Sequence, residues 1–213
     1  MRVPAELPRV LPVFPLRGTV LMPHGRLPLH VFEPRYRALV RDVLAGAGVF
    51  GMIQHRAAPE AEPAPPLYLT GCAGRIAAHR PLPDGRHLLV LAGLCRFDVV
   101  EELPVETPYR QVEASYERWL HDLEPPAELP EVRARILPRL ARYLESLEAQ
   151  VELGALAAAP LPVILALCAT TLPFAPEEKQ AVLEARTPEA QAAVLEGLLE
   201  IHLAGGAEGG RPN

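Results

Sequence analysis

The spacing of apolar residues changes once along the chain, near residue 120, and this change restricts the fold more than any single motif. Before it, short runs of alternating apolar and polar residues are bounded by glycine and proline, which is typical of strands. After residue 131, apolar residues recur every three or four positions, which is typical of amphipathic helices. One helical stripe, beginning at Pro34, interrupts the first part. Strands followed by helices predict an α+β fold.

The same change sets the expected domain boundaries. We predict a β-rich subdomain over residues 1–119, a linker over 120–130 and a helical subdomain over 131–204. The linker is acidic and rich in proline, which favours an irregular connection. Residues 205–213 are rich in glycine and lack apolar periodicity, so they predict a disordered tail.

Prolines and glycines also mark the ends of elements. Pro34 suits the first position of a helix, and Thr187 followed by Pro188 predicts an N-cap and the start of the last helix. Residues 83–85, Pro-Asp-Gly, predict a turn between strands.

Two strand predictions depend on the same residue types. Residues 10–16 carry two prolines, which lack a backbone donor, so we expect an edge or terminal strand there. Gly93 separates two predicted strands, over 87–92 and 96–100.

Charge and composition exclude several classes of function. A formal net charge of −5 over 213 residues disfavours broad binding to nucleic acid or anionic membranes. The most apolar stretch, 153–174, is broken by three prolines and predicts buried helices rather than a membrane span. No secretory signal is visible, and the widely spaced Cys72, Cys95 and Cys168 predict reduced thiols in a cytoplasmic protein.

The sequence offers no catalytic constellation. It has no phosphate-binding P-loop, and neither serine lies in a nucleophile elbow. Lys179, the sole lysine, follows Glu177 and Glu178 on a predicted helix, where we expect a solvated position. We therefore predict that the chain is not an enzyme.

A metal site is also not expected. Cys72, His79, His87 and Cys95 have the ligand types of a zinc site but none of its short paired spacings. We accordingly predict neither a metal nor another cofactor.

Four segments in order carry a family resemblance. They are LPVFPLRGTVLMPHGRLPLHVFEPRY (11–36), GCAGRIAAHRPLPDGRHLLVLAGLCRFDVV (71–100), PYRQVEASYE (108–117) and ATTLPFAPEEKQAVLEARTPEAQAAVLEGLL (169–199). Together they resemble the amino-terminal, substrate-recognition domain of the Lon proteases, over about residues 8–203. The resemblance implies a free-standing copy of that domain, without the ATPase or peptidase of Lon.

The resemblance implies a β-rich, PUA-like pseudo-barrel packed against a helical bundle. It further implies a non-catalytic module that binds unfolded or partly folded polypeptides, with a protease or chaperone as an expected partner. Strand addition at the predicted edge strand 10–16 is one physical route. The candidate peptide-binding residues are Phe14, Leu16, Arg17, Met22, Phe32, Arg35, Tyr36 and Arg96.

These candidates have structural alternatives. Phe14, Phe32 and Tyr36 suit a hydrophobic core, whereas Met22, in a Pro/Gly loop, is the better surface candidate. Arg35 and Arg96 are also expected to form ion pairs, with Glu33 or Asp98 as partners.

Three other functions stay open at this stage: binding of a small metabolite, binding of RNA, and oligomerisation through the helical part. The net charge counts against RNA, whereas a closed pocket with convergent polar groups would favour a small ligand. The sequence does not predict an oligomeric state.

Overall fold

Six strands form one mixed sheet in this protein, whose computed structural model describes residues 7–57, 64–125, 128–149 and 153–208. The strands are β1 (Val10–Pro15), β2 (Arg26–Val31), β3 (Val49–Ile53), β4 (Thr70–Pro81), β5 (His87–Glu102) and β6 (Gln111–Ser115). Their order across the sheet is β2-β5-β4-β3-β1-β6, and β5 also pairs with β6. Only the β1–β3 pair is parallel.

Helix α1 lies between β2 and β3 in the chain, and the other helices follow the sheet. The helices are α1 (Pro34–Leu44), a 3-10 helix (Glu117–Leu123), α2 (Pro130–Ser146), α3 (Leu153–Ala158), α4 (Leu161–Thr171), α5 (Pro176–Glu184) and α6 (Pro188–Glu208). The α+β class predicted from the sequence is confirmed. The short helix α3 was not predicted as a separate element.

Proline positions explain several element ends. Helices α1, α2, α4, α5 and α6 each have proline at one of their first positions, where its missing N–H costs no hydrogen bond. The Thr187 Oγ1 accepts a hydrogen bond from the Ala190 N–H (3.2 Å), which confirms the predicted N-cap of α6. In the β4–β5 turn, Gly85 has φ +78° and the Asp84 carboxylate accepts from the Arg86 N–H (3.1 Å), as the turn signal predicted.

One apolar core extends from the sheet into the helices. Phe50 and Leu91 of the sheet belong to the same buried cluster as Ile136 of α2, Leu165 of α4 and Leu195 of α6. The predicted stripe of α2 is buried at Val132, Ile136, Leu140, Tyr143 and Leu144. A second cluster, around Leu11, Phe97 and Trp119, fills the space between β1, β5 and the 3-10 helix. The sheet and the helices are therefore stabilised together.

Strand β5 differs from the prediction because it continues through Gly93. The pairing of β4 with β5 shifts register between Ala73 and Gly74 and again between Ile76 and Ala78. These irregularities, rather than a strand end, accommodate the glycine. A Cβ at Gly93 would lie 1.9 Å from the Met22 carbonyl oxygen, so this position accepts only glycine without rearrangement.

The predicted edge strand is not at an edge. β1 pairs with β6 through residues 10–12 and with β3 through residues 13–15. The prolines Pro12 and Pro15 are tolerated there because each half of β1 pairs along one side only. In the strand order, β1 therefore lies between β3 and β6 rather than at an edge.

Two predicted connecting segments also have structure. Residues 120–123, at the start of the predicted linker, belong to the 3-10 helix, whose Trp119 and Asp122 are buried. Helix α6 runs to Glu208, beyond the predicted end near residue 204, and residues 209–213 of the predicted tail lie outside the described residues. Within the described ranges, no helix combines the length and the hydropathy needed to span a bilayer.

Candidate functional site

The outer side of β2 is an open edge of the sheet. β2 pairs with β5, and no other described strand pairs with it. The Gly93 N–H donates to the Gly25 carbonyl oxygen (2.9 Å), which marks this pair as hydrogen-bonded. Alternation along an antiparallel pair then directs the backbone groups of Arg26, Pro28 and His30 away from β5. This edge is available to an added strand.

Pro28 limits what the open edge can bond. Because proline has no N–H, the edge presents the N–H groups of Arg26 and His30 only, together with three carbonyl oxygens. Proline at an edge position also discourages uncontrolled pairing between molecules. The edge can therefore accept an extended segment, with one hydrogen bond fewer than an uninterrupted edge.

An apolar groove lies beside this edge on the outer face of the sheet. Its volume is about 490 Å³. Residues directly opposite each other in antiparallel strands share a face, and the pairing of β2, β5 and β4 sets two rows across it. The rows are Pro28–Val90–Ala78 and His30–Leu88–Arg80. We call these six residues, together with Phe32, the edge groove.

Phe32 and two arginines border the edge groove. Phe32 follows β2, is 59% exposed, and its ring centroid lies 5.9 Å from that of His30. Arg26 and Arg80 are exposed and form no ion pair with any residue in the described ranges. The groove thus joins an exposed aromatic side chain and an apolar floor to two unpaired positive charges.

Of the predicted binding residues, Phe32 is the one that borders this groove, through its contact with the His30 ring. The core alternative is wrong for Phe32 but applies to Phe14 and Tyr36, whose rings stack with centroids 3.8 Å apart. The Tyr36 hydroxyl donates to the Pro15 carbonyl oxygen (3.2 Å), and burial raises its pKa. Arg35 lies over the Tyr36 ring at 4.5 Å. It pairs with Glu33 at 2.9 Å, as its structural alternative proposed.

The prediction that Met22 is a surface residue is wrong. Met22 is 1% exposed, because its loop folds onto Gly93 and the Met22 carbonyl accepts from the Gly25 N–H (3.0 Å). Leu16 is partly exposed, and Arg17 donates to the Glu177 carboxylate on α5 (2.7 Å). Arg17 therefore connects the sheet to the helices.

Arg96 is a buried residue with structural contacts. Its side chain is 1% exposed and pairs with Asp122 at 2.6 Å, so neither proposed partner, Glu33 or Asp98, is correct. The guanidinium lies 4.0 Å over the Trp119 ring. It also donates to the carbonyl oxygens that end α5 and begin the next loop, those of Leu183 (3.1 Å), Ala185 (2.5 Å) and Arg186 (3.3 Å). Arg96 thus links β5 to the end of α5 through hydrogen bonds.

Lys179 also differs from its prediction. It is 7% exposed rather than solvated, and its Nζ donates to the Thr170 carbonyl oxygen (3.1 Å). Burial lowers the pKa of Lys179.

The residues considered as zinc ligands differ in burial, because the two cysteines are buried and the two histidines are only partly buried. Cys72 and Cys95 are buried free thiols, and burial raises the pKa of Cys95 to about 12. His79 Nε2 lies 2.9 Å from His87 Nδ1, a contact that one neutral ring donates and the other accepts. No group of three or more metal-ligating side chains occurs within the described part of the chain.

Comparison with known proteins identifies the family. The model of the ATP-dependent protease La (LON) substrate-binding domain matches residues 10–200. The chain belongs to this family. A Lon protease of Anaeromyxobacter dehalogenans is 36% identical over 189 residues, which cover 84% of this chain and 22% of that protease. Lon protease 2 of Myxococcus xanthus is 40% identical over 105 residues, or 49% of this chain and 13% of that protein. The chain therefore spans less than a quarter of the length of these Lon proteases.

Solved structures support the same fold. A Lon N-terminal domain protein from Xanthomonas campestris superimposes with a TM-score of 0.60 at 27% identity, covering 90% of this chain and 97% of that one. The N-terminal domain of a Mycobacterium avium complex Lon protease gives a TM-score of 0.64 at 17% identity, over 91% and 99% of the two chains. The second likeness supports the fold alone.

The sequence of β2 contains a signal for an edge strand. In RLPLHVF, residues 26–32, apolar Leu27, Leu29 and Val31 alternate with Arg26, Pro28 and His30, and the latter three are exposed in the structure. This alternation, with proline at an exposed position, is typical of an edge strand.

Proposed function

We propose that this chain is a non-catalytic polypeptide-recognition module that binds unfolded or partly folded segments at the edge groove. The observation that carries the proposal is the open edge of β2 beside an apolar floor. Family membership supports it, because the family is described as a substrate-binding domain. A cytoplasmic location and delivery of the segment to a separate protease or chaperone belong to the same proposal.

Strand addition explains how such a segment is held without a fixed sequence. An extended segment pairs its backbone with Arg26 and His30 and turns every second side chain toward the groove floor. Backbone bonds do not depend on side-chain identity, so the binding is tolerant of sequence. Ordering a flexible segment is unfavourable, and we expect dissociation constants of about 1 μM or weaker.

The charges at the edge favour one kind of segment. Arg26 and Arg80 stand unpaired beside the groove, whereas the chain as a whole carries a net charge of −5. Apolar segments that contain acidic residues should therefore bind better than basic ones. Because both arginines are exposed, salt should weaken this charge preference while leaving the apolar contact nearly unchanged.

The first test is fluorescence anisotropy with a labelled, permanently unfolded polypeptide and its folded parent, at two salt concentrations. We expect binding to the unfolded form alone. Phe32→Ser should weaken it about tenfold, which corresponds to about 1.4 kcal/mol of lost apolar contact.

Ile201→Ser provides a matched control. Ile201 is 66% exposed on α6, similar to Phe32 at 59%, but it lies outside the edge groove. Equal effects of the two substitutions would show that binding does not use the groove, and absence of binding at tens of micromolar would refute the proposal itself.

A further inference from the structure

A second concave site lies where the loop before β2 meets the helices. This cleft has a volume of about 180 Å³ and shares no residue with the edge groove. Met22 and Pro23 form one wall, Pro162 of α4 forms another, and His24 and Gln191 contribute polar groups. At roughly 30 Å³ for each water molecule in the liquid, the cleft has room for a ligand about as large as six waters.

Gln191 is the unusual member of this cleft. The residue is 7% exposed, yet its side-chain amide makes no hydrogen bond to any other described residue. Its amide atoms are not among the fully buried, unpaired side-chain atoms of the described residues, so they reach the open space of the cleft. Its first-turn position in α6 places this amide at the cleft.

His24 provides the second unused polar group. It is a non-glycine residue with φ 63°, and its N–H donates to the Gly93 carbonyl oxygen (3.1 Å). The left-handed conformation is unfavourable for histidine and is maintained here by the packing of its loop on Gly93. The half-buried ring forms no hydrogen bond within the described residues. Burial lowers its pKa, so the neutral ring presents one donor and one acceptor.

Most other polar side chains of the cleft are already engaged, and Glu124 is an exposed carboxylate at its border. Arg96 uses its donors on Asp122 and on backbone carbonyl oxygens. The nearby helix starts are capped: the Leu161 N–H donates to Glu128 (3.0 Å) and the Ala190 N–H to Thr187 (3.2 Å). Apart from the exposed Glu124 carboxylate, the unused hydrogen-bonding groups are therefore two neutral side chains, Gln191 and His24, each with a donor and an acceptor.

We propose that this cleft binds a primary carboxamide, with Gln191 pairing to the ligand amide and His24 completing its hydrogen bonds. The NH₂ group of an amide ligand can donate to the Gln191 side-chain oxygen, while the ligand oxygen accepts from the Gln191 NH₂ group. A carboxylate lacks the donor, and it would face Asp122 and Glu124, which line the same cleft. The walls of Met22, Pro23 and Pro162 suit the apolar remainder of such a ligand. This inference goes beyond polypeptide recognition at the edge groove.

The test follows the Gln191 side-chain NH₂ and the His24 ring signals by ¹H–¹⁵N NMR during titration of the whole chain with propionamide. We expect saturable shifts at both groups, with a dissociation constant of about 1 mM or weaker for so small a ligand. Propionate, which has the same size but no donor, should bind at least about tenfold more weakly. Equal responses to the two probes, or no saturable shift, would overturn the proposal.

Two variants test whether propionamide binding depends on the side chains of this cleft. Gln191→Met preserves length and burial but removes the amide, and His24→Asn tolerates the left-handed backbone while withdrawing the ring. Each should weaken propionamide binding at least about tenfold. Glu189→Gln, on the exposed side of the same helix turn, should have no effect. Unchanged binding in a folded Gln191→Met or His24→Asn variant would contradict the assignment.

The source of the carboxamide is distinguished by two further probes. Free L-glutamine represents a metabolite, and N-acetylglutamine methylamide represents a glutamine side chain within a polypeptide. Binding of either one supports the carboxamide site and names its source, whereas binding of neither overturns it. Because Gln191→Met leaves the edge groove intact, polypeptide anisotropy separates failure here from failure of the proposed function.

Discussion

The buried ion pair between Arg96 and Asp122 makes a sharp prediction about stability. The two side chains are 1% and 5% exposed, and Asp122 accepts from the Arg96 side chain at 2.6 Å and 2.9 Å. Replacing Asp122 with alanine leaves a guanidinium buried without its counter-charge. Breaking such a pair costs about 3–5 kcal/mol, a large part of the roughly 5–15 kcal/mol that stabilises a typical domain.

Arg96→Met should cost more than Asp122→Ala. It also removes the donor to the Leu183, Ala185 and Arg186 carbonyl oxygens, and each buried acceptor left unpaired adds about 1–3 kcal/mol. The double variant Arg96→Met/Asp122→Ala should be more stable than the sum of the single effects predicts. In that variant neither charge is left alone, so the coupling energy should be non-zero.

Urea unfolding at equilibrium provides the measurement. With a slope of about 2 kcal/mol per molar, Asp122→Ala should lower the midpoint by about 1.5–2.5 M. Arg118→Met is the matched control, because Arg118 lies over the same Trp119 ring at 4.2 Å but is 42% exposed and pairs with Asp98 at 3.6 Å. We expect its loss to cost less than about 1 kcal/mol. An Asp122→Ala effect no larger than that of Arg118→Met would refute this account of the pair.

Two further predictions concern packing and titration. Gly93→Ala should destabilise the fold by at least about 2 kcal/mol in a thermal or urea assay, because its Cβ would lie 1.9 Å from the Met22 carbonyl oxygen. Gly197→Ala should instead stabilise the fold by about 0.5–1 kcal/mol in the same assay, because no atom lies within 4 Å of the new methyl group. The pKa of Lys179 is lowered by burial, so between that lowered pKa and 10.5 the unfolded chain binds more protons than the folded one. The stability of the natural protein relative to Lys179→Met should therefore rise as pH increases toward 10.5. A difference between their urea midpoints that stays constant across this pH window would contradict the prediction.

Local features of the fold were predictable because their causes lie close together in the sequence. Pro34, the Thr187 cap and the Pro83–Asp84–Gly85 turn act over a few residues, and each is confirmed. The apolar stripe of α2 follows from helical periodicity alone. These features establish the order of elements without the order of strands in the sheet.

The candidate site was less predictable because it depends on pairing between distant segments. Residues 10–16 carry prolines typical of an edge, but β6, about a hundred residues later, covers one side of them. The open edge instead falls at β2, whose neighbour β5 begins at His87. Arg96 was misassigned for the same reason, since its partner Asp122 lies in a segment that the sequence predicts as a linker.

Amide hydrogen exchange at β2 tests polypeptide recognition at the edge groove most directly. In the free protein, the N–H groups of Arg26 and His30 point away from β5 and should exchange rapidly, whereas those of Leu27, Leu29 and Val31 bond to β5. At saturation with the unfolded polypeptide, we expect exchange at Arg26 and His30 to slow markedly, with little change at the other three. If the polypeptide binds while exchange at Arg26 and His30 is unchanged, strand addition at this edge is wrong.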